Sequence, residues 1–186
     1  NAVQNVQTGR TLQLTSGWDV ENLTGGSGND TLIGSNKSNT LIGNGGHDNL
    51  IGHGGNDAMF GGLGDDRYLF YQAVGLEADT VTELANEGTD SLDFSGMMTG
   101  VFVRLWANWV QNVHLGRTLQ LNNGWDVEDL TGGPGNDTLI GSNKSNTLIG
   151  NGGNDNLIGH GGHDTMLGGA GDDKYFFYQA VGFEAD

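Results

Sequence analysis

From Leu32 onward one apolar residue returns at every ninth position: Leu32, Leu41, Leu50, Met59 and Tyr68, and again Leu139, Leu148, Leu157, Met166 and Tyr175. A second apolar row follows directly behind it, Ile33, Ile42, Ile51, Phe60 and Leu69, then Ile140, Ile149, Ile158, Leu167 and Phe176. The residues between are mostly Gly, Asn and Asp. Neither the helical period of 3.6 nor the strand period of 2 produces such a spacing, so it is the length of a structural unit. Six turn-forming residues and three strand residues, the middle one pointing inward, do produce it. Each block covers one side chain, and only a stack of blocks, with strands about 4.8 Å apart, builds a continuous core. The expected fold is all-β, a solenoid of short strands. If position eight points in, strict alternation turns the position-nine row outward as a ladder for contacts between solenoids, unless it tucks under the next turn.

The blocks hold one phase: GGSGNDTLI, GSNKSNTLI, GNGGHDNLI, GHGGNDAMF and GGLGDDRYL from Gly25, then GGPGNDTLI, GSNKSNTLI, GNGGNDNLI, GHGGHDTML and GGAGDDKYF from Gly132. Outside them the pattern becomes alternation. Thr11 to Leu14, Asp19 to Glu21, Ser91 to Phe94 and Val101 to Leu105 read as strands with one buried face, and Thr82 to Glu87 as a loop or a single helical turn. A longer repeat encloses both patterns: residues 1–79 realign on 108–186 with 64 of 79 positions identical, while 80–107 occur once. The chain thus divides into strand-rich coils over 1–24, a first roll over 25–79, connecting coils over 80–131 and a second roll over 132–186.

Composition asks what holds so thin a core together. Of 186 residues 35 are Gly and one is Pro, which excludes collagen and Pro-rich linkers and signals a regular demand for special backbone angles. Against 7 basic residues stand 23 acidic ones, a formal charge of -16, so nucleic acid and anionic membranes are excluded as partners and cations are favoured. With no cysteine, neither disulfides nor thiolate metal sites can staple the fold. No run of 18 apolar residues exists for membrane insertion, and without an initiator Met or a signal-peptide pattern the chain reads as a soluble piece of something longer.

Position six supplies the chemistry: Asp30, Asn39, Asp48, Asp57 and Asp66, then Asp137, Asn146, Asp155, Asp164 and Asp173. Stacked turns set one carboxylate above another, an arrangement that repels in low dielectric and attracts once a divalent cation lies between. Calcium takes 6–8 oxygen ligands at about 2.3–2.6 Å in flexible geometry, and glycine turns present carbonyls freely. Magnesium wants a stricter octahedron and zinc wants His or Cys.

These ten blocks resemble the GGxGxDxUx nonapeptide of the RTX calcium-binding repeat family, and the whole 107-residue unit, including DTVTELANEGTDSLDFS and GWDVENLTGG, resembles tandem units of large bacterial RTX surface proteins and adhesins. The resemblance implies a right-handed parallel β-roll with two blocks per turn, each ion lying between loop n and loop n+2. The implied pairs are Asp30 with Asp48, Asp48 with Asp66, Asn39 with Asp57, Asp137 with Asp155, Asp155 with Asp173, and Asn146 with Asp164. About three calcium ions per tract follow, completed by the carbonyls of Gly26, Gly28, Gly43, Gly45, Gly52, Gly54 and Gly61, and of Gly133, Gly135, Gly150, Gly152, Gly159, Gly161 and Gly168. The GSNKSN blocks depart from the motif, with Lys37 or Lys144 in the turn; there Asn39 and Asn146 either ligate through the amide oxygen or only cap a turn.

Other features have a bland reading and a sharper one. Glu77, Asp79, Asp90 and Asp93 form either a further ion site at the end of the roll or a solvated acidic loop. His47, His53, His114, His160 and His163 read as surface residues rather than zinc ligands, and Trp18, Trp106, Trp109 and Trp125 as packing residues rather than a sugar platform. Neither HExxH nor GxSxG occurs, so no catalytic site is expected. The resemblance implies a structural calcium-binding module exported by type I secretion, a rigid extracellular rod serving as adhesin stalk, surface layer or filament through end-to-end or side-by-side association. The alternative is the non-catalytic tail of a secreted protease, lipase or epimerase. A regular ligand-binding face is disfavoured by the irregular position seven: Thr31, Thr40, Asn49, Ala58 and Arg67.

Overall fold

The computed structural model of the chain describes residues 3–5, 11–13, 21–72, 75–84, 87–123 and 126–178. Among these residues lie nineteen strands in three sheets and no helix. Each nonapeptide contributes one short strand, because three β-favouring residues are all that remain between glycine turns. The fold is a parallel β-roll.

The first sheet stacks β1 (Val3–Asn5), β3 (Asn22–Thr24), β5 (Thr40–Gly45), β7 (Ala58–Leu63), β9 (Glu77–Thr82), β13 (Arg117–Asn122) and β12 (Gln111–His114). The second stacks β2 (Thr11–Gln13), β4 (Thr31–Ile33), β6 (Asn49–Ile51), β8 (Arg67–Tyr71), β10 (Ser91–Gly96), β14 (Asp129–Thr131), β16 (Thr147–Gly152) and β18 (Thr165–Ala170). The third holds β11 (Phe102–Arg104), β15 (Thr138–Ile140), β17 (Asn156–Ile158) and β19 (Lys174–Phe176). Every pair is parallel except the β12–β13 hairpin. Within a tract Asn49 pairs with Arg67 and Thr40 with Ala58, 18 residues apart, so one coil is two nonapeptides.

In the nonapeptide strands the alternation read from the sequence holds; in β10 Leu92, Asp93 and Phe94 are all buried, and Leu14, Asp19 and Val20 lie outside the described residues. Leu23, Leu32, Leu41, Leu50, Leu139, Leu148 and Leu157 are wholly buried, one side chain per strand, in a file along each sheet. Position nine faces outward and is half-buried at Ile33, Ile42 and Ile51. It is open where the side chain is largest or the sheet ends, at Phe60, Leu167 and Phe176.

In the connecting region the coil widens. Ser91 pairs with Asp129, 38 residues on, and Glu77 with Arg117, 40 residues on. The extra chain forms the hairpin on one face, and the core thickens with Phe70 and Phe94, whose rings stack at 4.6 Å. Gln111 seals the join between the first and third sheets: its side-chain amide accepts from the Arg104 N–H at 2.9 Å and donates to the Arg104 carbonyl at 3.0 Å, as a strand neighbour would. Thr82 ends β9, so the loop-or-helical-turn segment opens as strand; Ala85 and Asn86 in it, like Trp18 and Trp125, lie outside the described residues.

Because each coil buries one leucine per face, truncating one removes a full layer of core. Leu50→Ala is expected to cost about 2–5 kcal/mol in urea unfolding at saturating calcium, and Ile51→Ala clearly less.

Candidate metal centres in the turn columns

The turns stack as the strands do, which brings position-six side chains into files. The Asp30 N–H donates to Asp48 Oδ1 at 2.7 Å, Asp48 N–H to Asp66 Oδ1 at 2.7 Å, and Asn39 N–H to Asp57 Oδ1 at 2.8 Å. The second tract repeats this, with Asp137 to Asp155 at 2.7 Å, Asp155 to Asp173 at 3.0 Å and Asn146 to Asp164 at 3.0 Å. All six pairs expected from the sequence are therefore neighbours. The files also run past the tracts: Asp57 N–H donates to Asp79 Oδ1, Asp66 to Asp90 Oδ1 and Asp90 to Glu128 Oε2.

The second oxygen turns into its own loop. Asp30 Oδ2 accepts the Gly26 N–H at 2.7 Å and Asp137 Oδ2 the Gly133 N–H at 2.8 Å. In Asp48, Asp57, Asp66 and Asp155 this oxygen is buried without a hydrogen-bond partner. Position one explains where it points. A Cβ on Gly25 would sit 2.8 Å from Asp30 Oδ2 and 2.7 Å from the Gly43 carbonyl of the next coil. The same convergence of a position-six oxygen and the following coil's position-one carbonyl recurs at Gly34 with Asn39 and Gly52, Gly43 with Asp48 and Gly61, Gly132 with Asp137 and Gly150, Gly141 with Asn146 and Gly159, and Gly150 with Asp155 and Gly168. Each is a small cradle lined by oxygen, open only because position one has no side chain. That donor set fits calcium and not a thiophilic or imidazole-seeking metal.

The other candidate glycines do different work. Gly26 and Gly133 carbonyls accept from the Gly45 and Gly152 N–H groups at 3.2 Å, part of the loop ladder. Gly28 and Gly135 lie beneath Gly46 and Gly153, whose φ values of 108° and 109° press the loops together. The open sides of Gly54, Gly152 and Gly161 face the backbone of Asn36, Pro134 and Asn143, and that of Gly45 faces Leu63 and Ser27.

Backbone geometry also explains the irregular second block. Position two is left-handed at Asn44, His53, Asn151 and His160, and position four at Gly46, Gly55, Gly153 and Gly162. Ser35, Lys37, Ser142 and Lys144 take no positive φ, so these turns do not require glycine. Asn39 Oδ1 accepts the Ser35 N–H at 2.6 Å and Asn146 Oδ1 the Ser142 N–H at 2.6 Å, as aspartates would. Their Nδ2 groups donate to the Glu21 and Glu128 carbonyls. An amide serves here because the coil before offers a carbonyl.

Without metal the files are electrostatically costly. Burial pushes Asp57 and Asp66 up to about 7 and Asp137 to about 6, helped by the neighbouring carboxylates Asp79, Asp48 and Asp155 respectively. Burial likewise raises Asp48 and Asp155.

The junction acids differ from both readings of the sequence. Glu77, Asp79, Asp90 and Asp93 are all buried, which overturns the solvated acidic loop, and they do not form one cluster. Glu77 and Asp79 pair with the buried guanidinium of Arg117, and Asp93 with Arg67. Alternation along β13 points Arg117 inward beside Leu119 and Leu121, directly opposite Glu77 in register. Asp90 joins Asp66 and Glu83. Neither Arg117 nor Glu83 stood out in the sequence, although their place in an alternating strand and just after one was the available signal. Among the described residues no histidine joins a metal-ligating group. His53 and His160 stack on Tyr71 and Tyr178, and Trp106 packs edge-on against Trp109.

Comparison with known families agrees with this geometry. The model of the RTX calcium-binding nonapeptide repeat matches four stretches, residues 15–36, 33–68, 122–143 and 140–175, together more than half of the chain. No curated protein matches it significantly.

The pKa shifts fix a sign for pH dependence. A carboxyl raised from 3.8 to 6–7 on folding stabilises the metal-free roll below about pH 4, and that stability is lost as pH rises through 6–7. Chelated protein should therefore gain far-UV β signal as pH falls from 8 to 4.5, and a flat or falling signal would refute this. Calcium affinity should move the opposite way, weakening below about pH 6 as protons compete.

Proposed function

The chain belongs to the RTX calcium-binding nonapeptide repeat family, and from that premise we propose that it is a stretch of calcium-stabilised rod in a secreted bacterial surface protein. The module itself binds calcium and is structural. The observation that carries the rod reading is the unbroken second sheet, which runs from β2 to β18 through both tracts and the connecting coils.

On this reading Asp30, Asn39, Asp48, Asp57 and Asp66, with Asp137, Asn146, Asp155, Asp164 and Asp173, are the side-chain ligands. The carbonyls of Gly43, Gly52, Gly61, Gly150, Gly159 and Gly168 join them across successive coils, and the other loop carbonyls fill the remaining positions. Six cradles correspond to three ions per tract. Calcium meets the charge of the position-six carboxylates, and at Asp48 and Asp155 it reaches a buried oxygen that has no hydrogen-bond partner, so binding and folding are one event. Such a chain stays unfolded where calcium is scarce and stiffens outside the cell, which suits type I secretion. The tracts at 25–79 and 132–186 are the metal-dependent parts, and the outward aromatic and aliphatic residues Phe60, Leu167 and Phe176 support side-by-side association.

Each site filled at 100 times its Kd adds about 2.7 kcal/mol of stability, enough to decide folding when several act together. At pH 7.5 a chelator should abolish the β circular-dichroism signal and millimolar calcium should restore it. Full β structure in the metal-free chain at that pH would sink the reading. Gly25→Ala, which fills one cradle, is expected to raise the calcium midpoint of refolding several-fold.

A further inference from the structure

At the end of the first tract the glycine turns stop, but the file of carboxylates does not. Asp66 is the position-six residue of the last block, Asp90 follows it in the next coil, and Glu83 enters from the chain just after β9. Each offers a carboxylate oxygen within 4.8 Å of the others'. All three side chains are about 1% exposed.

Their hydrogen bonds leave one oxygen of each unused. Asp66 Oδ1 accepts from the Asp48 N–H, Asp90 Oδ1 from the Asp66 N–H, and Glu83 Oε1 from the Tyr68 hydroxyl. Asp66 Oδ2, Asp90 Oδ2 and Glu83 Oε2 are buried and without partner. The neighbouring acids were given arginines, Arg117 for Glu77 and Asp79 and Arg67 for Asp93. The largest charges acting on Glu83 are the negative ones of Asp90, Asp66 and Glu87.

The place of this group in the stack is specific. At Gly25, Gly34 and Gly43 a position-one glycine faces its own Asp or Asn and a carbonyl of the next coil's glycine turn; at Gly61 it faces Asp66 and, 2.7 Å away, the Tyr68 hydroxyl. The chain leading into Asp90, ANEGTD, lacks the paired glycines of the turn motif. Glu83 supplies oxygen in its stead, and Tyr68 orients it while accepting the Gly61 N–H at 2.6 Å.

We propose that Asp66, Glu83 and Asp90 hold a further divalent hard cation, calcium, that caps the first tract and ties it to the connecting coils. Three buried carboxyl groups whose oxygens converge within 4.8 Å, each with one oxygen lacking a hydrogen-bond partner and none in an ion pair with a cationic side chain among the described residues, call for such an ion, and an all-oxygen set selects calcium over zinc. Glu83 lies in no nonapeptide, so the cap stands or falls apart from the turn sites, although it rests on the reading of the chain as a calcium-binding roll.

Native mass spectrometry of the full chain in calcium counts bound ions. Glu83→Gln is expected to carry one ion fewer than the parent, to keep its β circular dichroism at saturating calcium, and to need several-fold more calcium to refold. An unchanged ion count in a folded variant overturns the cap and means that Glu83 is instead kept protonated by its burial. If Glu83→Gln does not fold, terbium-soaked crystals of the parent decide. An anomalous peak between Asp66, Glu83 and Asp90 supports the site, and peaks in the turns with none there overturn it. Absence of ions everywhere would sink the calcium roll itself, a result distinct from loss of the cap alone.

Discussion

A position-six carboxylate in the middle of a tract holds two coils at once. With one oxygen it receives the N–H of the preceding coil's position six, and with the other it faces its own turn and a carbonyl of the next. This contact fixes the distance between coils and their register, and it does so by placing ionisable groups out of water, which is strongly unfavourable unless the charge is met. The acidic composition, the bare glycines at position one and the single-file leucine core all follow from that arrangement. So does the demand for a cation. A core of one leucine per strand cannot offset the entropy of ordering nine residues.

The protein meets buried charge in more than one way. In the turns oxygen faces oxygen and a calcium ion is the natural counter-charge. At the junction Arg117 enters the core and faces Glu77 and Asp79, which is the costlier solution because a guanidinium must also be desolvated. It offers directionality in return: the planar fork, pinned also to the Tyr71 carbonyl, admits one register of β13 on β9. The two long repeats are thus locked to one another at the place where the nonapeptide rule has lapsed.

That lapse has a geometric consequence. The segment Thr40–Gly45 lies in the first sheet, whereas its repeat Thr147–Gly152 lies in the second; Asn49–Ile51 lies in the second and its repeat Asn156–Ile158 in the third. The second tract has therefore exchanged faces relative to the first. Any feature carried on one face of the first roll reappears on the opposite face of the second, so apolar rows such as position nine do not form one continuous stripe along the stack of coils.

Periodicity made the roll legible in the sequence, because a nine-residue unit with one inward leucine and one Asx has few ways to satisfy both. The six position-six pairs, four of Asp with Asp and two of Asn with Asp, were legible through the resemblance to the repeat family, which implies two blocks per turn, and loops 18 residues apart do meet alike. The junction was opaque for the complementary reason: it occurs once, and the partners of its acids lie 38 and 15 residues away, at Arg117 for Asp79 and Tyr68 for Glu83. The sequence by itself determined the fold class, the nine-residue block and the columns of candidate ligands, because those are properties of a local pattern copied many times. Only the tertiary structure decided which buried acids have an arginine and which have none, and on which face each tract presents its strands. Those outcomes depend on how a single long, irregular coil closes, and no local period encodes that closure.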